Sequence, residues 1–248
     1  MTEVAPRRVA VLGYPLDVVD LAGATDWVLA AAAAPPGASR LVVTLNPEIV
    51  VLGRAQPELD RALRAADLSV ADGVGVALAA RLAGTRLPGR VPGVDLVAAV
   101  LGRGGAGLRV YLLGARPGVA ERAALAVAAT YGTTVVGHHH GYFDRVGEAD
   151  AVCAAVRAAA PDLLLAGLGE GQELFLHEHR ERLGAKVSIG VGGTLDVLAG
   201  EVRRMPAWTT RLGVEWLFRV ALDRRRWRRV PRLIEFAWLA LTARGGRA

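Results

Sequence analysis

The chain has 248 residues, 52% of them hydrophobic and 22% charged, which supplies a buried core and argues against disorder. A single cysteine, Cys153, excludes an internal disulfide framework and a thiolate zinc site, and fits a reducing compartment. The net charge of +6 is uneven: residues 201–248 carry 12 Arg against four acids, net +8, leaving the first 200 residues at −2. Four of the five Trp lie in that same last fifth, so a near-neutral body precedes a basic, Trp-rich tail.

In chain order, Arg7 and Arg8 precede only the short apolar run Val9–Leu12 before Asp17 and Asp20, so no signal peptide is expected. Val9–Leu12 itself reads as the first of seven buried strands. Helix Ala22–Ala34, strand Leu41–Thr44, helix Pro57–Ala66 and strand Leu68–Val70 follow. Next come helices Val74–Leu82 and Val94–Leu101, strand Leu108–Leu113, helix Pro117–Thr130 and strand Thr133–Val136. Helix Glu148–Ala159, strand Leu163–Ala166, helix Glu173–Leu183 and strand Val187–Ile189 complete the body. Strands alternating with helices predict an α/β, Rossmann-like fold, a mostly parallel sheet with helices on both faces. We expect an α/β domain over 1–200 and a helical appendage over 201–248. No apolar run reaches the roughly 20 residues of a spanning helix.

Ligands in such sheets bind beyond the carboxyl ends of the strands. There the sequence places Thr44-Leu45-Asn46-Pro47-Glu48, Asp72-Gly73-Val74-Gly75, Gly114-Ala115-Arg116, Gly167-Leu168-Gly169 and Gly190-Val191-Gly192-Gly193. Glycines let backbone N–H groups approach a phosphate or sugar, and several such loops along one sheet edge favour a nucleotide-type ligand. No G-x-G-x-x-G opens the first helix and no G-x-x-x-x-G-K-[ST] occurs, which weakens the dinucleotide oxidoreductase and P-loop readings.

These motifs resemble the WecG/TagA/CpsF glycosyltransferase family, glycosyltransferase family 26, over roughly Val9 to Arg229. The resemblance rests on Thr44-x-Asn46-Pro47-Glu48, Asp72-Gly73-x-Gly75, Arg90-Val91-Pro92-Gly93-Val94-Asp95 and Tyr111-Leu112-Leu113-Gly114. His140-Gly141-Tyr142-Phe143, Gly167-Leu168-Gly169 with Gln172-Glu173, and Gly190-Val191-Gly192-Gly193-x-x-Asp196 extend it. Arg204-x-Pro206-x-Trp208 and Leu212-Gly213-x-Glu215-Trp216-Leu217-x-Arg219 complete it. One departure stands out: the family usually has Ala-Pro-Lys-Gln-Glu after Gly-Leu-Gly, and here Glu170-Gly171-Gln172-Glu173 lacks the lysine and is one residue shorter. That difference bears on the sugar donor.

The resemblance implies an inverting transfer of N-acetylmannosamine or a related sugar. The donor would be a UDP-sugar and the acceptor a polyprenyl-diphosphate-linked sugar on the cytoplasmic membrane face. Such chemistry needs a carboxylate to take the acceptor proton and positive charge for the diphosphate leaving group. With no D-x-D pair in the chain, a metal-free and cofactor-free site with arginines on the diphosphate is the economical reading.

The resemblance makes Asp72 the candidate base, whereas spacing alone favours a cap on the following helix. The candidate substrate contacts are Thr44, Asn46, Arg90, Gly114, Tyr142, Gly169, Gln172, Gly192 and Asp196. Their ordinary roles would be capping for Thr44, Asn46 and Asp196, a surface arginine for Arg90 and a helix start for Gln172. His138-His139-His140 is expected in a loop, with His140 near the nucleotide. Adjacent residues of an extended chain point to opposite faces, which speaks against a metal site.

In the tail, Trp208, Leu212 and Trp216 share a helical spacing, and Leu233–Leu241 is apolar but too short to span. Arg219, Arg226 and Arg229 are the candidate diphosphate contacts. Arg and Trp on an amphipathic helix suit an anionic membrane surface. Core packing or contact between copies in a homo-oligomer is the competing role, and nucleic acid is disfavoured because no recognised module occurs. Two functional readings compete with transfer: a soluble NAD-type enzyme, and a non-catalytic module recruited to the membrane.

Overall fold

A strand covered on both faces needs apolar side chains at nearly every position, and the runs Leu41–Val43 and Leu163–Ala166 meet that demand. The computed structural model describes residues 6–35, 37–202, 227 and 230–243. Its strands are β1 (Arg8–Val11), β2 (Tyr14–Asp17), β3 (Arg40–Leu45), β4 (Leu68–Ala71), β5 (Arg109–Gly114), β6 (Thr134–His139), β7 (Leu163–Gly167) and β8 (Val187–Gly190). The last six form one sheet in the order β4-β3-β8-β7-β5-β6, and every pairing in it is parallel.

Alternation along the strands feeds two cores. Leu41, Val43, Leu45, Tyr111, Leu113, Leu164 and Ala166 face one side. There they meet α2 (Pro47–Ala55), α3 (Pro57–Arg64), α7 (Ala149–Ala159) and α8 (Gln172–Glu178), with α4 (Val74–Leu82) and α9 (Arg180–Leu183) adding Val76 and Leu183. Val42, Val70, Val110, Leu112, Leu165 and Ile189 face the other side, under α1 (Leu21–Ala33), α5 (Gly93–Gly104) and α6 (Val119–Tyr131). α10 (Thr194–Leu198) follows β8, and α11 (Val230–Thr242) sends Phe236 and Ala240 into the first core, against α2 and α4. The α/β, Rossmann-like reading is correct.

Three expectations need correction. Val9–Leu12 is not a strand of the central sheet: β1 pairs antiparallel with β2 in a separate hairpin. Its two-residue turn places Leu12 and Gly13 at φ +51° and +89°, a turn whose twist matches the flanking strands. The partner Tyr14-Pro15-Leu16-Asp17 carries a proline and an aspartate, which mask it as a strand. Thr133–Val136 is an edge strand, longer than expected and half-exposed, that takes in His138 and His139. Glu173–Leu183 is two helices, broken at His179.

The hairpin is pinned to the β4 edge by one carboxylate. Asp17 is only 3% exposed and accepts from Arg8 Nε and Nη2 at 2.8 Å each and from the Ser69 N–H at 2.8 Å. Arg8→Ala strands a buried charge and should cost about 3–5 kcal/mol. Asp17→Ala leaves a half-exposed arginine that water can reach plus one orphaned N–H, and should cost less, about 2–3 kcal/mol. Urea denaturation of both variants checks the order, and equal or reversed losses would refute this account of the hairpin.

Candidate active site

A cavity of about 1440 Å³ opens beyond the carboxyl ends of the central strands. One wall is polar and built from the end of β3, the loops that follow β3, β4, β7 and β8, and the start of α8, including Thr44, Asn46, Asp72, Gly169, Gln172 and Gly192. The other is apolar, with Leu52, Leu78 and Leu82 joined by Leu233, Ile234 and Phe236 of α11. Three longer helices, α2, α4 and α5, begin at the polar wall and aim their positive dipole ends toward it.

The structure brings most of the predicted residues to this wall. Thr44, at the end of β3, donates from Oγ1 to the Gly190 carbonyl at 3.2 Å, tying two strand ends together. Asn46 caps α2: its Oδ1 accepts from the Glu48 and Ile49 N–H groups at 3.1 Å each. Asp72 follows β4, where its N–H donates to the Leu45 carbonyl at 2.8 Å. The cap position of α4 is Gly73, at φ +92°, so Asp72 stands one residue before the cap. Arg90 lies in the loop before α5, a loop held to β4 by the Val91 N–H on the Ala71 carbonyl at 2.9 Å. Asp196 sits in the first turn of α10, Gly169 in the turn after β7, and Tyr142 after β6 at 67% exposed. All of these line the cavity.

Gly114 does not line it. A Cβ on Gly114 would lie 2.4 Å from the Gly167 carbonyl oxygen, so this glycine permits the close approach of β5 and β7 behind the wall. His138 and His139 belong to β6 rather than a loop, and His140 is outside the lining, whereas Gly141 and Tyr142 are in it. Arg219, Arg226 and Arg229, with Trp208 and Trp216, lie outside the described residues.

Three features escape a reading of the sequence. Arg145, in the loop before α7, lies 5.6 Å from the ring centres of both Phe143 and Phe175 and donates to the Leu168 carbonyl at 2.7 Å, holding the turn after β7. Arg232 of α11 donates to Glu48 at 2.9 Å and to Glu170 at 3.4 Å, joining the apolar wall to the polar one. Glu173, beside Gln172, is only 4% exposed, and burial pushes its carboxyl up to about 7 against the opposing pull of the Gln172 hydrogen bond. The available signal for Glu173 was a carboxylate three residues before Leu176, in step with the buried face of a helix.

A sequence model of the glycosyl transferase WecG/TagA/CpsF family matches residues 9–248. The chain belongs to that family. It is 31% identical over 204 residues to an N-acetylglucosaminyldiphosphoundecaprenol N-acetyl-beta-D-mannosaminyltransferase of Bacillus subtilis (strain 168), covering 81% of this chain and 78% of that protein. A protein of the same name from Staphylococcus aureus (strain MRSA252) is 34% identical over 194 residues, 77% of this chain and 74% of its own length. A third, from Bacillus spizizenii, is 32% identical over 192 residues, 76% and 74% respectively. The enzyme is therefore a glycosyltransferase, and the NAD-type and non-catalytic readings fall.

The state of Glu173 has a consequence for stability. Folded, the carboxyl keeps its proton to about pH 7, whereas unfolded it ionises near its ordinary value of 4.5. A carboxyl raised in this way favours the folded state most below the unfolded value, and that contribution is lost as pH rises through the folded value. Glu173→Gln, isosteric and always neutral, should therefore gain roughly 2–3 kcal/mol on the wild type between pH 5 and pH 8. Urea unfolding at the two pH values measures this, and a difference independent of pH would mean the carboxyl titrates normally.

Proposed function

We propose that this enzyme transfers N-acetylmannosamine or a related sugar from a UDP-sugar to a polyprenyl-diphosphate-linked sugar, with inversion and without metal or cofactor. The observation that carries this reading is the two-sided cavity, whose polar wall suits a nucleotide sugar and whose apolar wall suits a lipid-linked acceptor. The relatives' names support it, since they specify a diphosphoundecaprenol-linked acceptor and a β-D-mannosaminyl product. A β product from an α-linked nucleotide sugar requires one inversion at the anomeric carbon.

In this reading the acceptor hydroxyl oxygen attacks the donor's anomeric carbon and its proton passes to Asp72. The bond from that carbon to the diphosphate oxygen breaks, and its electron pair leaves with UDP. The helix starts at the polar wall and the tail arginines Arg219, Arg226 and Arg229 balance the charge on the departing diphosphate. Thr44, Asn46, Arg90, Tyr142, Gly169, Gln172, Gly192 and Asp196 surround the sugars and nucleotide, with Gly114 setting the wall behind. The chain carries no D-x-D motif, and among the described residues no cluster of three His, Cys, Asp or Glu is placed to hold a metal.

No helix among the described residues is long and apolar enough to cross a membrane. Residues 201–248 act instead as a basic appendage on the inner membrane face. α11 supports this placement: Ile234, Trp238 and Leu241 form an exposed stripe at 66%, 63% and 63%, with Trp227 exposed nearby in sequence. The stripe begins at the cavity, since Ile234 and Leu241 also line it, so a bound surface would bring lipid-linked acceptor to the opening.

Asp72→Asn should retain fold and UDP binding but lose transfer by about 10²–10⁴-fold. Turnover of UDP-N-acetylmannosamine with a short-chain lipid diphosphate acceptor, with and without EDTA, measures it. A variant within about threefold of wild type would remove Asp72 as the base, and activity restored only by added Mg²⁺ or Mn²⁺ would remove the metal-free mechanism. Ile234→Ser with Trp238→Ser should weaken binding to anionic phospholipid vesicles by about tenfold or more, from the apolar area withdrawn. Co-sedimentation reads this directly, and unchanged binding would exclude α11 from the membrane contact.

A further inference from the structure

We propose that Glu173 is a positioning residue: acting through the Gln172 amide, it sets the Gly190–Gly193 turn that forms part of the polar wall.

The chain of contacts is short and buried. Gln172 Nε2 donates to Glu173 Oε1 at 2.7 Å, and Gln172 Oε1 accepts from the Gly192 N–H at 3.2 Å. A backbone N–H can only donate, so the Gln172 oxygen must face Gly192 and its NH₂ must face an acceptor. Glu173 is that acceptor, and it fixes which way the amide points. Both side chains are held almost out of water, at 7% and 4% exposed, where an unmatched polar group is costly. Gly190 closes the arrangement: a Cβ there would lie 2.8 Å from Glu173 Oε1 and 2.9 Å from Gln172 Nε2, so the turn rests directly on the pair. The Gly190 carbonyl in turn accepts from Thr44. Thr44, Gln172 and Gly192, three residues of the polar wall, are thereby tied to one carboxyl group that stands in the wall beside them. Its neutral form still offers a carbonyl oxygen to Gln172, so the arrangement survives burial without a counter-charge.

The catalytic part of this inference rests on the transfer reaction proposed above, and the structural part does not, so the test reads both. Hydrogen exchange at the Gly192 amide, followed by NMR, reports the positioning itself. Glu173→Leu keeps the volume and removes the acceptor, and should speed Gly192 exchange by about tenfold. Glu173→Gln keeps an acceptor oxygen and should leave exchange near the wild-type rate. In the transfer assay Glu173→Leu should lower kcat by about ten- to a hundredfold with little change in acceptor KM, and Glu173→Gln should restore it. If Glu173→Leu does not fold, Gly190→Ala displaces the same pair from the opposite side and should give the same fast exchange at Gly192. Unchanged Gly192 exchange in the folded Leu or Ala variant overturns the inference, and so does a Leu variant that loses thermal stability while keeping full kcat. A wild-type protein without transfer activity removes the proposed reaction instead, and exchange at Gly192 still decides the positioning role.

Discussion

Six parallel strands sealed between two helical layers leave polar chemistry nowhere to stand except at their ends. Along their middles, β3, β5, β7 and β8 are apolar on both faces, apart from the hydroxyls of Thr44, Tyr111 and Ser188. Parallel pairing then brings the carboxyl ends to one edge, and each connection from there must reverse into a helix. The glycines at that edge answer this geometry. Gly114 lets β5 approach β7, and Gly73 turns the chain into α4 with a positive φ. Helix starts and the candidate base are gathered at one rim by the same constraint.

That rim alone would be a shallow polar shelf. α11 turns it into a cavity by laying an apolar wall against α2 and α4, anchored through Phe236 and Ala240. The Arg232 contacts with Glu48 and Glu170 join helix to rim. Glu170, in the turn between β7 and α8, presents a negative charge to an arginine of α11. Half-exposed pairs of this kind contribute little to stability, and their value lies in fixing where the helix sits. The result is a cavity with two kinds of wall, one polar and one apolar.

At the polar wall itself, burial works on Glu173 in the opposite sense. Taken out of water with an amide as its partner, a carboxylate would face a heavy desolvation cost, and the proton is retained instead. Asp17 shows the contrasting solution, with a guanidinium and a backbone N–H supplied to a buried carboxylate. One carboxyl thus fastens a hairpin through a guanidinium, and the other, up to about pH 7, serves as a neutral hydrogen-bonding group in the wall.

The sequence by itself determined the alternation of elements, because a doubly covered strand and an Ala-rich helix leave local patterns. Leu163–Ala166 and Val74–Leu82 were legible to within a residue. It also marked most of the polar wall, since glycines with Asp72, Asn46 and Gln172 at strand ends are local motifs. Strand order was not legible: the placing of β8 between β3 and β7 depends on pairings that no local pattern records. The hairpin is hidden in the sequence because its partner strand carries Pro15 and its turn holds Leu12 at a positive φ. The burial of Glu173, the grip of Arg232 and the wall made by α11 join residues as much as 184 positions apart. Only the folded chain decides such contacts, because desolvation and ion pairing depend on what surrounds a side chain in space.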